Sequence, residues 1–299
     1  MNGLHDEREL SVVVASANGL PYLEACLTSL RERCVEAEVI VADCTNEETR
    51  RRVREQFPSA RLLSFDEPMT MPALRAAGIA AAHTPYVAVI EDPCVVTDGW
   101  SRRIVEAHRR GHSAVGGSIR QGATARARDW AAFFCEYSEY MEPAHAGSVR
   151  VLLGMNVSYD RRALGAVEEL LRKGHWEFPV HARLRSLGFE LYSDPAILIV
   201  HIKDYGFREF FSQCYDHSSS FARMRSADLG WRRVVYAAGS PLLVPYLYLR
   251  IARNVLERHR HRRELLLATP LIAVYLSVSA AGEMIGYVQG GRQSLPDVN

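Results

Sequence analysis

The first 225 residues predict an α/β domain, a sheet flanked by helices, and the remainder predicts a helical extension. Three observations lead there. Short apolar runs alternate with amphipathic stretches, those runs are apolar on both faces, and two long uncharged runs follow residue 230. A strand apolar on both faces belongs between two helical layers, which is the situation of a parallel sheet.

Residues 11–16 (SVVVAS) form the opening strand, followed by the turn pair Asn18-Gly19. Residues 21–34 place Leu23, Cys26, Leu27 and Leu30 on one helical stripe, with Pro21 suited to a first turn. Residues 38–43 (EVIVAD) read as a second buried strand and 46–57 as a charged surface helix. A strand over 60–65, a helix over 71–82 and a strand over 86–92 continue the series, extended by a helix over 99–110 and a strand over 113–120. After a loop over 121–128, Trp130, Phe133, Phe134, Tyr137 and Tyr140 follow the three-to-four spacing of a core-packed helix. Past residue 150 the order becomes mixed. A strand over 151–160 and a helix from Arg161 to Arg172 precede the turn Gly174-His175-Trp176-Glu177. A short helix and two strands, in FELYSDP and AILIVHIK, follow.

A chain of 299 residues accommodates one large α/β domain with such an extension, divided here as 1–225 and 226–299. A formal net charge of +1 gives no reason to expect a nucleic-acid partner. The six cysteines are dispersed without zinc spacing, as buried thiols in a reducing compartment would be. The opening MNGLHDEREL has no apolar core of a secretory leader. No G-x-G-x-x-G follows the first strand, and there is no phosphate loop or G-x-S-x-G elbow.

Ligands of such sheets bind at the carboxyl ends of the strands, so the closing residues are the candidates: Ser16, Asp43, Phe65 and the pair Glu91-Asp92. Asp43 either accepts hydrogen bonds from a nucleoside or forms an Asx turn that caps the next helix. Glu91 and Asp92 suit a divalent cation bridging a diphosphate, or are solvated acids before a turn at Pro93. Arg75, on a helix aimed at the same edge, can neutralise phosphate charge. Glu177 beside Trp176 is either a desolvated general base or an acid held at a helix N-terminus. His201, closing the run AILIVH, is a metal or phosphate contact or a capped edge histidine.

The order of these segments resembles family 2 glycosyltransferases, which have the GT-A fold, over roughly residues 9–225. VVVASANGLPYLEACLTSLR is similar to that family's opening strand and helix, and EVIVADCTNEET to its nucleotide-binding "VIVVDDGS". ALRAAGIAAAHTPYVAVIEDPCVVTDGW resembles the stretch that carries the family's Arg, Gly and DxD, matched by Arg75, Gly78 and, for the first acid, Glu91. LLGMNVSYDRRAL and EFPVHARLRSLG resemble the acceptor-side segments, with Glu177 on the catalytic-base Asp and His201 on a late His. The resemblance implies inverting transfer from a nucleoside-diphospho-sugar. It assigns Ser16, Asp43, Arg75, Glu91 and Asp92 to the donor, and Asp92, Glu91 and His201 to a Mn or Mg ion. Two positions depart from the pattern: Pro93 replaces the last acid of DxD, and Cys44 the second Asp of the base-binding pair. The processive QxxRW signature is absent. The alternative is a GT-A scaffold that binds a partner or nucleotide without turnover.

Residues 234–249 and 265–282 carry no charge, and an Arg- and His-rich stretch separates them. Both are slightly short of the ~20 residues of a membrane span, and Pro241, Pro245 and Pro270 interrupt them. Helices lying on a cytoplasmic membrane face, with the basic stretch among anionic headgroups, are therefore expected. A lipid-linked acceptor is the corollary.

Overall fold

The computed structural model describes residues 8–226 and 229–290. Up to residue 7, the stretch read for a leader lies outside them. In chain order the elements are β1 (Leu10–Ser16), α1 (Tyr22–Arg33), β2 (Glu38–Asp43), α2 (Glu47–Gln56), β3 (Arg61–Ser64), α3 (Met71–Ala81), β4 (Tyr86–Glu91) and β5 (Cys94–Val96). Then come α4 (Trp100–Arg109), β6 (Ala114–Gln121), α5 (Ala127–Tyr137), β7 (Gly147–Val149), β8 (Asn156–Asp160), α6 (Arg161–Arg172), α7 (Glu177–Ser186) and β9 (Leu191–His201). Helices α8 (Phe207–Ser226), α9 (Arg232–Gly239), α10 (Leu243–Glu257) and α11 (Arg262–Gln289) complete the chain, with a 3-10 turn (Ser240–Leu242) before α10.

Two compact units result, and they interleave in the sequence. The first holds residues 8–122 and Glu142–Ile202; the second holds Ala123–Met141 and the residues from Lys203 on. Helices α5 and α8 thus belong with the C-terminal helices, where the sequence suggested a single division near residue 225.

The first unit is one mixed sheet in the order β3-β2-β1-β4-β8-β6-β9-β5, with β7 also paired to β9. Strands β1 to β4 are parallel, as their two-faced apolar character requires, and β8 runs antiparallel to β4 and β6. Val12–Val14, Ile40, Val41 and Val87–Ile90 are at most 1% exposed. Each such aliphatic side chain contributes about 1.5–3 kcal/mol of burial. Two expectations change. The strand read over 151–160 begins only at Asn156, and the two late strands are one, β9, with a register break opposite Gly117 and Ser118. That break carries Pro195, which lacks the N–H of a regular ladder. Strands β5 and β7, three residues each, are too short for a periodic signal.

Two features of this framework position the site. The register sets Ser16 opposite Asp43 and Ala15 opposite Glu91, so the ends of β1, β2 and β4 lie side by side. Helix α3 presses directly on β1: a Cβ added at Gly78 would lie 2.2 Å from Val13 Cγ1. Thr70 caps α3 and Pro72 sits in its first turn, which starts the helix just before Arg75.

In the second unit, α11 lies along α8 with similar closeness. A Cβ at Gly282 would stand 2.6 Å from the Tyr215 carbonyl oxygen and one at Gly286 2.4 Å from that of Ser219. The aromatic stripe of α5 is buried, with Trp130 and Phe134 rings 5.4 Å apart and Phe133 and Tyr137 5.7 Å apart. Pro270 does not end α11, which runs for 28 residues, about 42 Å. The stretch Arg232–Glu257 is also helical for 26 residues, the 3-10 turn accommodating Pro241. Both helical stretches are therefore long and apolar enough to cross a membrane, longer than the uncharged runs alone suggested.

Candidate active site

Asp43 closes β2 fully buried. Its Oδ1 accepts from Thr45 Oγ1 (2.7 Å) and stands 3.0 Å from Ser16 Oγ; its Oδ2 accepts from Thr45 N (3.3 Å) and Arg50 Nε (3.1 Å). The bond from Thr45 N is the Asx-type contact, while Asn46 caps α2 by accepting from Thr49 N at 2.9 Å. Arg50 extends the network to Asp66 Oδ1 (2.7 Å) and the Phe65 carbonyl (2.5 Å). Asp43 thus organises the strand-end loop from within.

Asp92 is equally buried. Asn18 N (2.7 Å) and Gly19 N (2.8 Å) donate to Oδ2 and Asn18 Nδ2 (2.7 Å) to Oδ1. Ser16 Oγ lies 3.2 Å from Oδ2, so its single proton serves Asp43 or Asp92 but not both at once. Burial pushes the Asp92 carboxyl up to about 6, opposed by the Asn18 and Gly19 donors. The residue pins the loop after β1 against the end of β4.

Arg75 joins the remaining two acids. Its Nη2 donates to Glu91 Oε1, its Nη1 to Glu177 Oε2 at 3.2 Å, and its guanidinium lies over the Trp176 ring, 5.7 Å from the centroid. Although burial alone would lower its pKa, the carboxylates of Glu91 and Glu177 hold it well above the usual arginine range. Nε of this guanidinium is buried without a hydrogen-bond partner. Glu177 is the first residue of α7 and follows Trp176, the residue that precedes the helix. Gly154 leaves room over the pair, since a Cβ there would stand 2.4 Å from Arg75 Nη1 and 2.8 Å from Glu177 Oε2.

The residues expected to hold a cation do not form a ligand set as arranged. Glu91 is engaged by Arg75 and Asp92 by the loop after β1, and Pro93 offers no side-chain oxygen. His201 lies buried at the end of β9, paired in register with Cys94. Among the described residues no three His, Cys, Asp or Glu side chains gather to hold an ion. The metal assignment of Glu91, Asp92 and His201 therefore does not fit this arrangement, and the physical reason is a guanidinium already occupying the acidic mouth.

Residues 11–164, just over half of the chain, match the model of glycosyl transferase family 2. The chain belongs to glycosyl transferase family 2. This glycosyltransferase is similar in structure to the mannosyltransferase PcManGT from Pyrobaculum calidifontis in complex with GDP-Man and Mn2+. The TM-score is 0.55 and the identity 14%, over 92% of this chain and 86% of that one, a likeness of fold. No curated protein matches the chain. The GT-A fold, the enzyme class and a nucleotide-sugar as donor class are thereby established for this family 2 glycosyltransferase. Glu177 and His201 lie beyond the matched residues.

Arg50, Asn18, Gly19 and Gly154 were not singled out as site residues from sequence. Arg50 reads as one of three consecutive arginines on a surface helix, and nothing in that run marks the one that turns inward. Asn18-Gly19 signals a turn, but its two amides reach Asp92 across 73 and 74 residues of chain.

Proposed function

We propose that this enzyme transfers a sugar with inversion from a nucleoside-diphospho-sugar to an acceptor hydroxyl, with Glu177 as the base. The supporting observation is Arg75 bridging Glu91 and Glu177 at the carboxyl end of the sheet. In this reading the donor's diphosphate draws the Nη1 edge of Arg75 away from Glu177, while Glu91 retains Nη2. Glu177 then accepts the acceptor's hydroxyl proton. The oxygen attacks the anomeric carbon from the face opposite the diphosphate, which leaves with the bonding electron pair. Arg75 meets the charge developing on that leaving group. Ser16 and Asp43 shape the nucleoside side through Thr45 and Arg50, and Asp92 holds the adjoining loop. No step here runs through a cation.

The solved relative holds GDP-Man, which makes GDP-mannose the first donor to test, alongside UDP-sugars. The apolar helices of the second unit are the ground for proposing that the enzyme works at a membrane, and a lipid-linked acceptor and a place on the cytoplasmic face go with that proposal. A thermal-shift screen of these donors, with and without Mn or Mg, identifies the ligand and whether an ion is needed to hold it. Glu177→Gln is expected to abolish transfer while donor affinity stays within about threefold. Transfer by the variant at the wild-type rate overturns the assignment of the base.

A further inference from the structure

Behind Glu177 lies a buried polar pair to which the resemblance assigns no role. Tyr159 on β8 and His181 on α7 are 4% and 0% exposed, and His181 follows Glu177 by four residues, one turn along the same helix face. Tyr159 Oη and His181 Nε2 are 2.7 Å apart, and the backbone N–H of Leu152 donates to His181 Nδ1 at 3.3 Å.

The direction of these bonds follows from their chemistry. A backbone amide only donates, so Nδ1 carries no proton. Burial pushes the His181 pKa down to about 4, which keeps the ring neutral near pH 7. The single ring proton is therefore on Nε2 and is donated to Tyr159 Oη. The tyrosine's own proton must point elsewhere. Tyr159 lines a cavity of about 30 Å³ with Arg75, His175 and Glu177 as its other polar side chains, among mainly apolar neighbours such as Val89 and Leu171. That volume exceeds the ~10–15 Å³ that one water needs, and the four polar side chains can supply its hydrogen bonds within an otherwise mainly apolar lining. Tyr159 is itself held protonated, because burial and the nearby Glu177 carboxylate both push its pKa up.

We infer that Tyr159, oriented by His181, donates its phenolic proton across this cavity, through one bridging water, to the Glu177 carboxylate and so positions the base. The inference rests on the reading of Glu177 given above and extends it. While Arg75 engages Glu177, the carboxylate has a strong partner. Once the donor's diphosphate competes for that guanidinium, the chain Leu152–His181–Tyr159–water holds the carboxylate aimed at the acceptor. Tyr159 and His181 are positioning residues, since neither touches the substrate in this arrangement.

The test compares Y159F, H181Q and H181F with the wild type and E177Q, using whichever of GDP-mannose or a UDP-sugar binds in the thermal-shift screen. Y159F is expected to lower kcat about tenfold or more with the donor KM within twofold, because a misdirected base slows chemistry without weakening the donor. H181Q is expected to keep kcat within about threefold, since its amide can accept from Leu152 N–H and donate to Tyr159, whereas H181F should fall as far as Y159F. The double variant Y159F/H181F should be no slower than either single one, as expected of one chain of bonds. A wild-type kcat in Y159F, or equal losses in H181Q and H181F, overturns the inference. If Y159F does not fold, H181Q against H181F decides by the same criterion. An inactive E177Q beside a fully active Y159F rejects only the positioning chain, while an active E177Q rejects the assignment of the base itself.

Discussion

At the scale of single residues, one guanidinium between two carboxylates defines the site. Arg75, Glu91 and Glu177 come from α3, β4 and α7, and each reads on its own as an ordinary surface or helix-end charge. Their meeting was legible only in part. The strand-end positions of Asp43, Glu91 and Asp92 follow from two-faced apolar runs that stop at an acid. The partners that occupy those acids, Arg50, Asn18 and Gly19, do not follow, because hydrogen bonds across dozens of residues leave no periodic trace. His181 supplies a pH test at this scale. Burial lowers its pKa from about 6.5 to about 4, so between those values the unfolded chain binds more protons than the folded one. Its contribution is fully present above pH 6.5 and is lost as pH falls toward 4, by up to about 3 kcal/mol. Asp92, raised to about 6, acts in the opposite sense, since the folded state holds its proton more tightly. The wild-type curve alone mixes the two. The difference between wild type and H181Q in urea unfolding at pH 4.5, 5.5 and 7 isolates the histidine, and this difference should shrink as the pH is lowered.

At the scale of elements, α3 carries the site because it can lie against β1. Val13 is fully buried in β1, and nothing larger than hydrogen fits at Gly78 above it. Gly78→Ala should therefore displace the helix, cost about 1–3 kcal/mol in urea unfolding, and weaken donor binding, because Arg75 is one turn away. Adding Val13→Ala should recover part of both losses. A single variant with wild-type stability and affinity would show that α3 is not held by this contact. The resemblance marked Gly78 as a matching position, and the close approach supplies its physical reason. Helix α7 illustrates the complementary case: the turn before it and a short helix after that turn were read from the sequence, whereas its buried face, through His181, became meaningful only beside β8.

At the scale of the whole molecule, the second unit exposes apolar side chains that a soluble surface seldom shows. Trp231, Leu242 and Leu249 are 77%, 72% and 66% exposed, in a stretch that also carries Arg232, Arg233, Arg250 and Arg253. Apolar residues beside arginines suit an anionic membrane surface. The full chain should co-sediment with vesicles containing anionic lipid and less with neutral ones. Replacing Trp231, Leu242 and Leu249 by serine should reduce that binding at least about tenfold while leaving donor affinity unchanged. Equal recovery in the supernatant with and without vesicles would reject the membrane reading.

The order of the longer strands and helices up to β8, the parallel start of the sheet, its mixed end and the acids at its strand ends were determined by local information. Hydrophobic period and turn chemistry act over a few residues and are written in them. The tertiary structure decided how the chain divides into interleaved units, that Arg75 occupies the acidic mouth where a cation was expected, and that Tyr159 and His181 stand behind Glu177. Those outcomes depend on which distant segments share a register or a packing contact, and a single stretch of residues carries no record of its partners.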